Sequence, residues 1–210
     1  NDESSDIVNE SPNNNDDSLD ILHKLTDIDI RKKSENKLSY YNSYNQILEL
    51  SSKAWEDIWD EIDVVFEDNE DCQNIIRLNL YHTIVSFSPH NKNFDASVTA
   101  RGLHGEGYRG HVYWDEIYIM PFYCMHFPEA AKAMLMYRYK RLPQAKKAAE
   151  ELGYQGAMFP WQSGLTGEEV CQKYNYNPIS KKWSPDYNNL QKHVSLAIAH
   201  NIYTYFHYTL

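Results

Sequence analysis

The chain has 210 residues, 20 of them basic and 30 acidic, with a formal charge of −10, 42% hydrophobic and 14% aromatic residues. Such a composition supports a buried core of one domain or part of a larger one, and its acidic balance counts against a nucleic-acid or anionic-membrane partner, which would want a basic face. No run approaches the ~18–20 apolar residues of a membrane span, and Cys72, Cys124 and Cys171 are too scattered for a disulfide framework or a zinc ribbon.

Residues 1–20 hold seven acids, no Lys or Arg and no aromatic residue. This composition cannot repay the entropy of ordering and reads as a disordered acidic linker. The rest of the chain carries 23 acids against 20 bases and is nearly neutral. The first residues, NDESSDIVNE, have no basic n-region, no apolar h-region and no initiating Met. No signal peptide is indicated, and the expectation is an internal piece of a longer, cytoplasmic protein.

Residues 21–50 are mixed in composition, with Tyr40, Tyr41 and Tyr44 and helix-compatible spacing towards Ile47 and Leu48. They read as an interdomain connector containing one helix. From residue 51 the pattern is helical: Trp55, Ile58, Trp59 and Ile62 recur at i, i+3, i+4, i+7. Ile75, Ile76, Leu80, Ile84 and Phe87 predict a second helix face. Residues 130–152 predict a further helix, with Pro128 before it, Gly153 after it and a break at Pro143. The basic stretch YRYKRLPQAKK (137–147) reads as that helix's solvated side. Residues 190–208 are apolar over most of a helical circumference, which predicts a helix covered on nearly all sides. Strict two-residue alternation is scarce, so the expected class is all-α.

All eight glycines fall between Gly102 and Gly167, in two patches, TARGLHGEGYRGHVYWDE and GYQGAMFPWQSGLTGEE. Each reads as a loop beside a helix, carrying an aromatic next to carboxylate or amide groups. Such loops on a helical scaffold are where sites are expected. In the first patch, Trp114, Asp115 and Glu116 suit a sugar: an indole face stacks on a pyranose while carboxylates accept bonds from its hydroxyls. Trp114 taken singly is equally compatible with a core position. Arg101, His104, Glu106, Arg109 and His111 read as groups that hold the loop. The spacing of His104, Glu106 and His111 is H-x-E-x-x-x-x-H, not the H-E-x-x-H that places two imidazoles on one helix face, so no metal is expected. No phosphate-binding glycine motif is present.

In the second patch Pro160 presets the direction of Trp161, a second stacking platform or a hydrophobic lid, with Gln162 beside it to read hydroxyls. Trp183 and Tyr187 are weaker candidates for the same wall.

Three segments, ARGLHGEGYRGHVYWDE, PFYCMHFPEAAKAMLMYRYKRLPQAKKAAEELGYQGAMFPWQS and NLQKHVSLAIAHNIYTY, resemble glycoside hydrolase family 65 in order and separation. That family comprises maltose, trehalose and kojibiose phosphorylases and related α-glucoside hydrolases. The resemblance covers residues 50–210 and implies an (α/α)6 barrel, incomplete in this chain, behind an irregular N-terminal linker, with residues 51–210 as the first part of the catalytic domain. It implies that Trp114 and Asp115 hold the glucosyl unit in the innermost subsite. Trp161 and Gln162 would shape the adjoining sugar site, and Gln191, His193 and Ser195 would bear on linkage preference. This chain reads W-D-E where the phosphorylases read W-D-T-E, and Gln162 stands where some members carry Glu.

For the complete protein the resemblance implies inversion at an α-glucosidic carbon, with water or inorganic phosphate as the entering nucleophile and no cofactor. The family's general acid is expected beyond Leu210, so this chain carries sugar-binding residues without a catalytic proton donor and is expected to be inactive alone. An α-glucosyl disaccharide is the expected partner, and a homodimer is implied. A non-catalytic or degenerate glycan-binding protein is the alternative.

Overall fold

A computed structural model describes residues 43–102 and 107–210. The acidic stretch 1–20, most of the 21–50 connector, and His104 and Glu106 lie outside the described residues. Two compact units divide the chain, one ending at Asp60 and one spanning Glu61–Leu210.

Helix α1 (Tyr44–Ile62) runs unbroken through position 50. Its Trp55 and Trp59 rings lie one turn apart, with centroids 6.3 Å from each other. An i, i+4 pair between Lys53 and Asp57 at 2.6 Å supports the solvent side.

In the second unit, α2 (Glu70–Ser86) starts on Asn69, whose Oδ1 accepts from the Cys72 N–H at 2.9 Å. Glu70 and Asp71 add favourable charge to its first turn. Asp63 accepts from the Arg77 guanidinium, Nε to Oδ1 at 2.9 Å, and so ties the preceding loop to α2. Ile84 and Phe87 are buried and Ile76 and Leu80 half-buried, as the spacing predicts. Ile75 is a correction: it is 61% exposed, because one helical step of 100° from Ile76 carries it off the inward stripe.

Helix α3 (Glu116–His126) packs against α4 (Pro128–Lys140) and α6 (Val194–Thr209), and α4 packs against α6 and a short 3-10 turn at Pro89–Asn93. The main core joins Phe87, Val98, Met120, Tyr123, Cys124, Met134 and three alanines of α4. Met120 and Met134 are fully buried, each contributing about 1.5–3 kcal/mol of apolar burial. The Tyr123 hydroxyl, inside that core, donates to the carbonyls at the end of α2, Thr83 at 3.1 Å and Phe87.

The predicted interruption of the 130–152 helix occurs at Arg141, and α5 (Leu142–Glu151) begins just after it. Pro143 occupies the first turn of α5, where its missing N–H has no helical partner to lose. After α5, Gly153 adopts φ +77° and donates to Glu150 O at 2.9 Å while Tyr154 donates to Ala149 O at 2.9 Å. This paired closure needs a left-handed residue, which is why glycine stands there.

Three expectations are corrected. The 137–147 stretch is not wholly solvated: Arg138 and Arg141 are 2% and 5% exposed, held by carboxylates that sequence alone does not bring near them. The helix expected over 190–208 starts at Val194, after a 3-10 turn at Asn188–Leu190. It buries Val194, Ile198, Asn201 and Thr204 but exposes Leu196, Ile202, Tyr203 and Phe206, because among the described residues α3 and α4 cover one side only. A hairpin, β1 (Tyr174–Asn177) against β2 (Lys182–Pro185), interrupts the helices with Tyr174 opposite Pro185. The other regular elements among the described residues are helices, and the expected all-α class holds.

Candidate functional site

The two glycine patches meet. Val112 and Ser163 exchange backbone bonds of 3.0 and 2.9 Å, an isolated antiparallel bridge that sets the loop before α3 against the loop around Trp161. Around this junction lies a cavity of about 620 Å³, lined by Arg101, Arg109, Trp114, Asp115, Trp161 and Gln162 among others. Six of the residues singled out from sequence therefore surround one space.

Its apolar wall is a run of rings. Tyr108 stands edge-on to Tyr113 at 5.4 Å, Tyr113 edge-on to Trp161 at 5.8 Å, and Trp161 lies within 25° of parallel to Trp114 at 6.3 Å. His193, exposed just before α6, closes the run 5.2 Å from Trp161 and 6.5 Å from Trp114. Burial pushes the Tyr113 hydroxyl up to about 12, so it remains a neutral donor at physiological pH.

Asp115 precedes α3 but makes no capping bond. Its Oδ2 is buried and has no hydrogen-bond partner among the described residues. Burial raises its carboxyl above the ordinary aspartate range, since the anion loses water there. Asp115 lines the cavity, and a buried carboxylate oxygen without a partner is a group that a ligand hydroxyl can satisfy.

The Trp161 turn is held by Glu169. Its carboxylate accepts from the N–H groups of Trp161 at 2.8 Å and Gln162 at 3.1 Å. Gln162 Nε2 donates to His111 Nδ1 at 2.6 Å, which makes His111 a support for the amide. Ser195 Oγ accepts from the Phe159 N–H at 3.1 Å and anchors the start of the same loop.

Glu116, grouped by sequence with Trp114 and Asp115 as substrate-binding, lies elsewhere. One oxygen accepts from Ser97 Oγ, and the other pairs with Arg138 Nε at 3.0 Å, with both side chains 3% exposed. It does not line the cavity. Since Arg138 also donates to the Tyr113 carbonyl, the ion pair buttresses the segment that carries Trp114 and Asp115. Successive residues diverge here because α3 begins at Glu116 and turns its side chain into the core.

Several cavity residues were not singled out from the sequence: Tyr108, Tyr113, Gln172, Asn175, Asp186 and Asn188. The last three come from the hairpin and the turn after it, where Asn175 Nδ2 donates to Asp186 Oδ2 at 2.8 Å. No motif signals them; only the Asn- and Tyr-rich composition of 174–188 stands out. Among the described residues, no group of His, Cys, Asp and Glu is arranged to hold a metal, and no helix is long and apolar enough to cross a membrane.

Comparison with known proteins gives a consistent picture. A relative in Lactococcus lactis described as a trehalose 6-phosphate phosphorylase is 46% identical over 78% of this chain and 22% of its own length. A kojibiose phosphorylase of Thermoanaerobacter brockii is 38% identical over 75% of the chain and 20% of its own length. A solved structure from the human microbiome, provisionally assigned as a kojibiose phosphorylase, superposes with a TM-score of 0.68 at 28% identity, over 85% of this chain and 23% of that one. The chain thus spans about a fifth of the length of these relatives. The model of the glycosyl hydrolase family 65 central catalytic domain matches residues 77–210, and the chain belongs to that family.

Proposed function

We propose that this chain supplies the glucosyl-binding wall of an inverting enzyme that cleaves α-glucosidic disaccharides with inorganic phosphate as co-substrate. The observation that carries the reading is Asp115, which lines the same cavity as Trp114 and Trp161 and holds a buried oxygen with no partner among the described residues. Relatives described as phosphorylases of kojibiose, nigerose and trehalose 6-phosphate support the reaction class.

In this reading the near-parallel indoles of Trp114 and Trp161 present apolar faces to pyranose rings. Asp115 accepts from glucosyl hydroxyls. Its charge, little screened in a buried setting, stabilises the positive charge that grows on the sugar as the glycosidic bond breaks. Gln162, oriented by His111, reads hydroxyls of the adjoining sugar. The Glu116–Arg138 pair positions this wall and touches no substrate. Phosphate, already anionic, enters from the face opposite the leaving sugar, so no carboxylate base is needed to activate it. No side chain of this chain is assigned as the proton donor.

The test incubates the full-length protein with kojibiose, maltose, nigerose and trehalose, with and without inorganic phosphate, and resolves the products. Phosphate-dependent β-glucose 1-phosphate is expected. Glucose released equally well without phosphate identifies a hydrolase and refutes phosphorolysis. No product from any sugar shifts the reading to a non-catalytic glycan binder.

A further inference from the structure

Three residues of the basic stretch, Tyr137, Arg138 and Arg141, reach the two loops of the sugar cavity without lining it. Tyr137, on α4, is 4% exposed. Its hydroxyl lies 2.7 Å from the Gly164 carbonyl and 2.9 Å from Ser163 Oγ. A carbonyl only accepts, so the hydroxyl's single proton goes to Gly164, and Ser163 donates to the phenol oxygen. Ser163 is itself 1% exposed, directly follows Gln162 and makes the backbone bridge to Val112.

Arg138, the next residue, donates to the Tyr113 carbonyl, just before Trp114. Neighbours on a helix point about 100° apart, and these two hold different loops: Arg138 the one with Trp114 and Asp115, Tyr137 the one with Trp161 and Gln162. Arg141, just after α4, steadies the second hold. Its guanidinium carbon lies 3.6 Å from the centre of the Tyr137 ring, and Nη1 donates to the Tyr137 carbonyl at 2.9 Å and to Asp95 Oδ1 at 3.0 Å. Its stem fills the space beside Gly167, where an added Cβ would lie 2.7 Å from Arg141 Cβ. Glu169 and Ser195 fix other points of the same loop, so loss of the Tyr137 hydroxyl shifts Trp161 and Gln162 rather than freeing them. The shift is driven by Ser163 and Gly164, whose polar groups would need another partner.

We infer that Tyr137 is a positioning residue for the second sugar of the substrate. Through Ser163 and Gly164 it sets where Trp161 and Gln162 stand, while Trp114 and Asp115 stay on Arg138. The inference rests on the proposed reading that the glucosyl unit sits at Trp114 and Asp115 and the adjoining sugar at Trp161 and Gln162.

The experiment compares the full-length wild type with Tyr137→Phe, which removes one oxygen and keeps the ring under Arg141. Two probes separate the two sugar positions. One is whichever of kojibiose, maltose, nigerose and trehalose the wild type turns over. The other is 1-deoxynojirimycin, a cationic analogue of the glucosyl unit alone, whose binding is read by calorimetry. In Tyr137→Phe, kcat/KM for the disaccharide is expected to fall by roughly 10–100-fold, the scale on which a small displacement of a positioning group acts. The Kd of the iminosugar is expected to stay within about twofold, as for a site with no shared partner. Equal weakening of both probes assigns Tyr137 a merely structural role and overturns the inference, and so does a variant that changes neither. Should Tyr137→Phe not fold, Ser163→Ala gives the reading, since it leaves the Tyr137 bond to Gly164 intact: the same split supports the inference, and no split overturns it. A wild type that turns over none of the four sugars refutes the proposed function, and calorimetry with kojibiose then decides this inference separately. Kojibiose binding lost in Tyr137→Phe with iminosugar binding retained supports it. Absence of kojibiose binding by the wild type, or equal loss of both, overturns it.

Discussion

Replacing Glu116 with glutamine isolates the support beneath the sugar-binding wall. Glu116 and Arg138 are each 3% exposed, with Nε and Oε2 3.0 Å apart, and Arg138 Nη1 already lacks a partner. Glutamine preserves shape and can still accept from Ser97, so the change removes charge and leaves a buried guanidinium with the Tyr113 carbonyl as its remaining acceptor. Removing one partner of a buried pair costs about 3–5 kcal/mol, because the remaining charge stays desolvated. For a unit of this size each kcal/mol moves Tm by about 2–4 °C, so a loss of roughly 6–12 °C at the lower bound is expected. Differential scanning calorimetry of the full-length protein reads the shift, and titration of glucose against tryptophan fluorescence reads the site. Weakened glucose binding should accompany the lower Tm. A Tm within about 1 °C of wild type, combined with lost glucose binding, would refute the reasoning and return Glu116 to the substrate.

Further outcomes follow from the same geometry. Asp115→Ala should lower kcat/KM by about 10²–10³, the scale of losing one preorganised electrostatic contact, while the melting curve keeps its cooperativity; near-wild-type turnover removes Asp115 from the site. Gly167→Ala should destabilise by about 1–3 kcal/mol, because φ is +83° there and an added Cβ would lie 2.7 Å from Arg141 Cβ; an unchanged Tm contradicts this. Burial raises the Asp115 pKa above its unfolded value of about 3.9. Its contribution to stability is therefore fully present below that value and is lost as pH rises through the folded one. Glucose binding needs the anion and runs the other way, strengthening as pH rises through the same raised value. Fluorescence titrations across the acid range check this, and Asp115→Asn should flatten the dependence.

Much of the helical framework was legible in the sequence, because α1, α2 and the α4–α5 pair announce themselves by local means. Their signals are a 3.6-residue apolar period, a proline at a helix start and Gly153 at a helix end. Of the candidate site, the residues that line one cavity were legible where they are neighbours in sequence: Trp114 beside Asp115 after a glycine-rich loop, and Trp161 beside Gln162. What could not be read is long-range. Nothing local says that Val112 pairs with Ser163, or that the turn after the hairpin brings Asp186 and Asn188 to the same cavity. Nothing local says that Arg138 finds a carboxylate twenty-two positions away, so a basic run that reads as solvated contains two buried arginines. The same gap misplaced Glu116, whose direction depends on where α3 begins.

The most direct test of the account is a crystal structure of the full-length protein with glucose bound. The account predicts one pyranose in the cavity against Trp114 or Trp161, with a ring hydroxyl donating to Asp115 Oδ2 at about 2.5–3.0 Å. Glucose seated elsewhere, with Asp115 untouched by sugar, would contradict it.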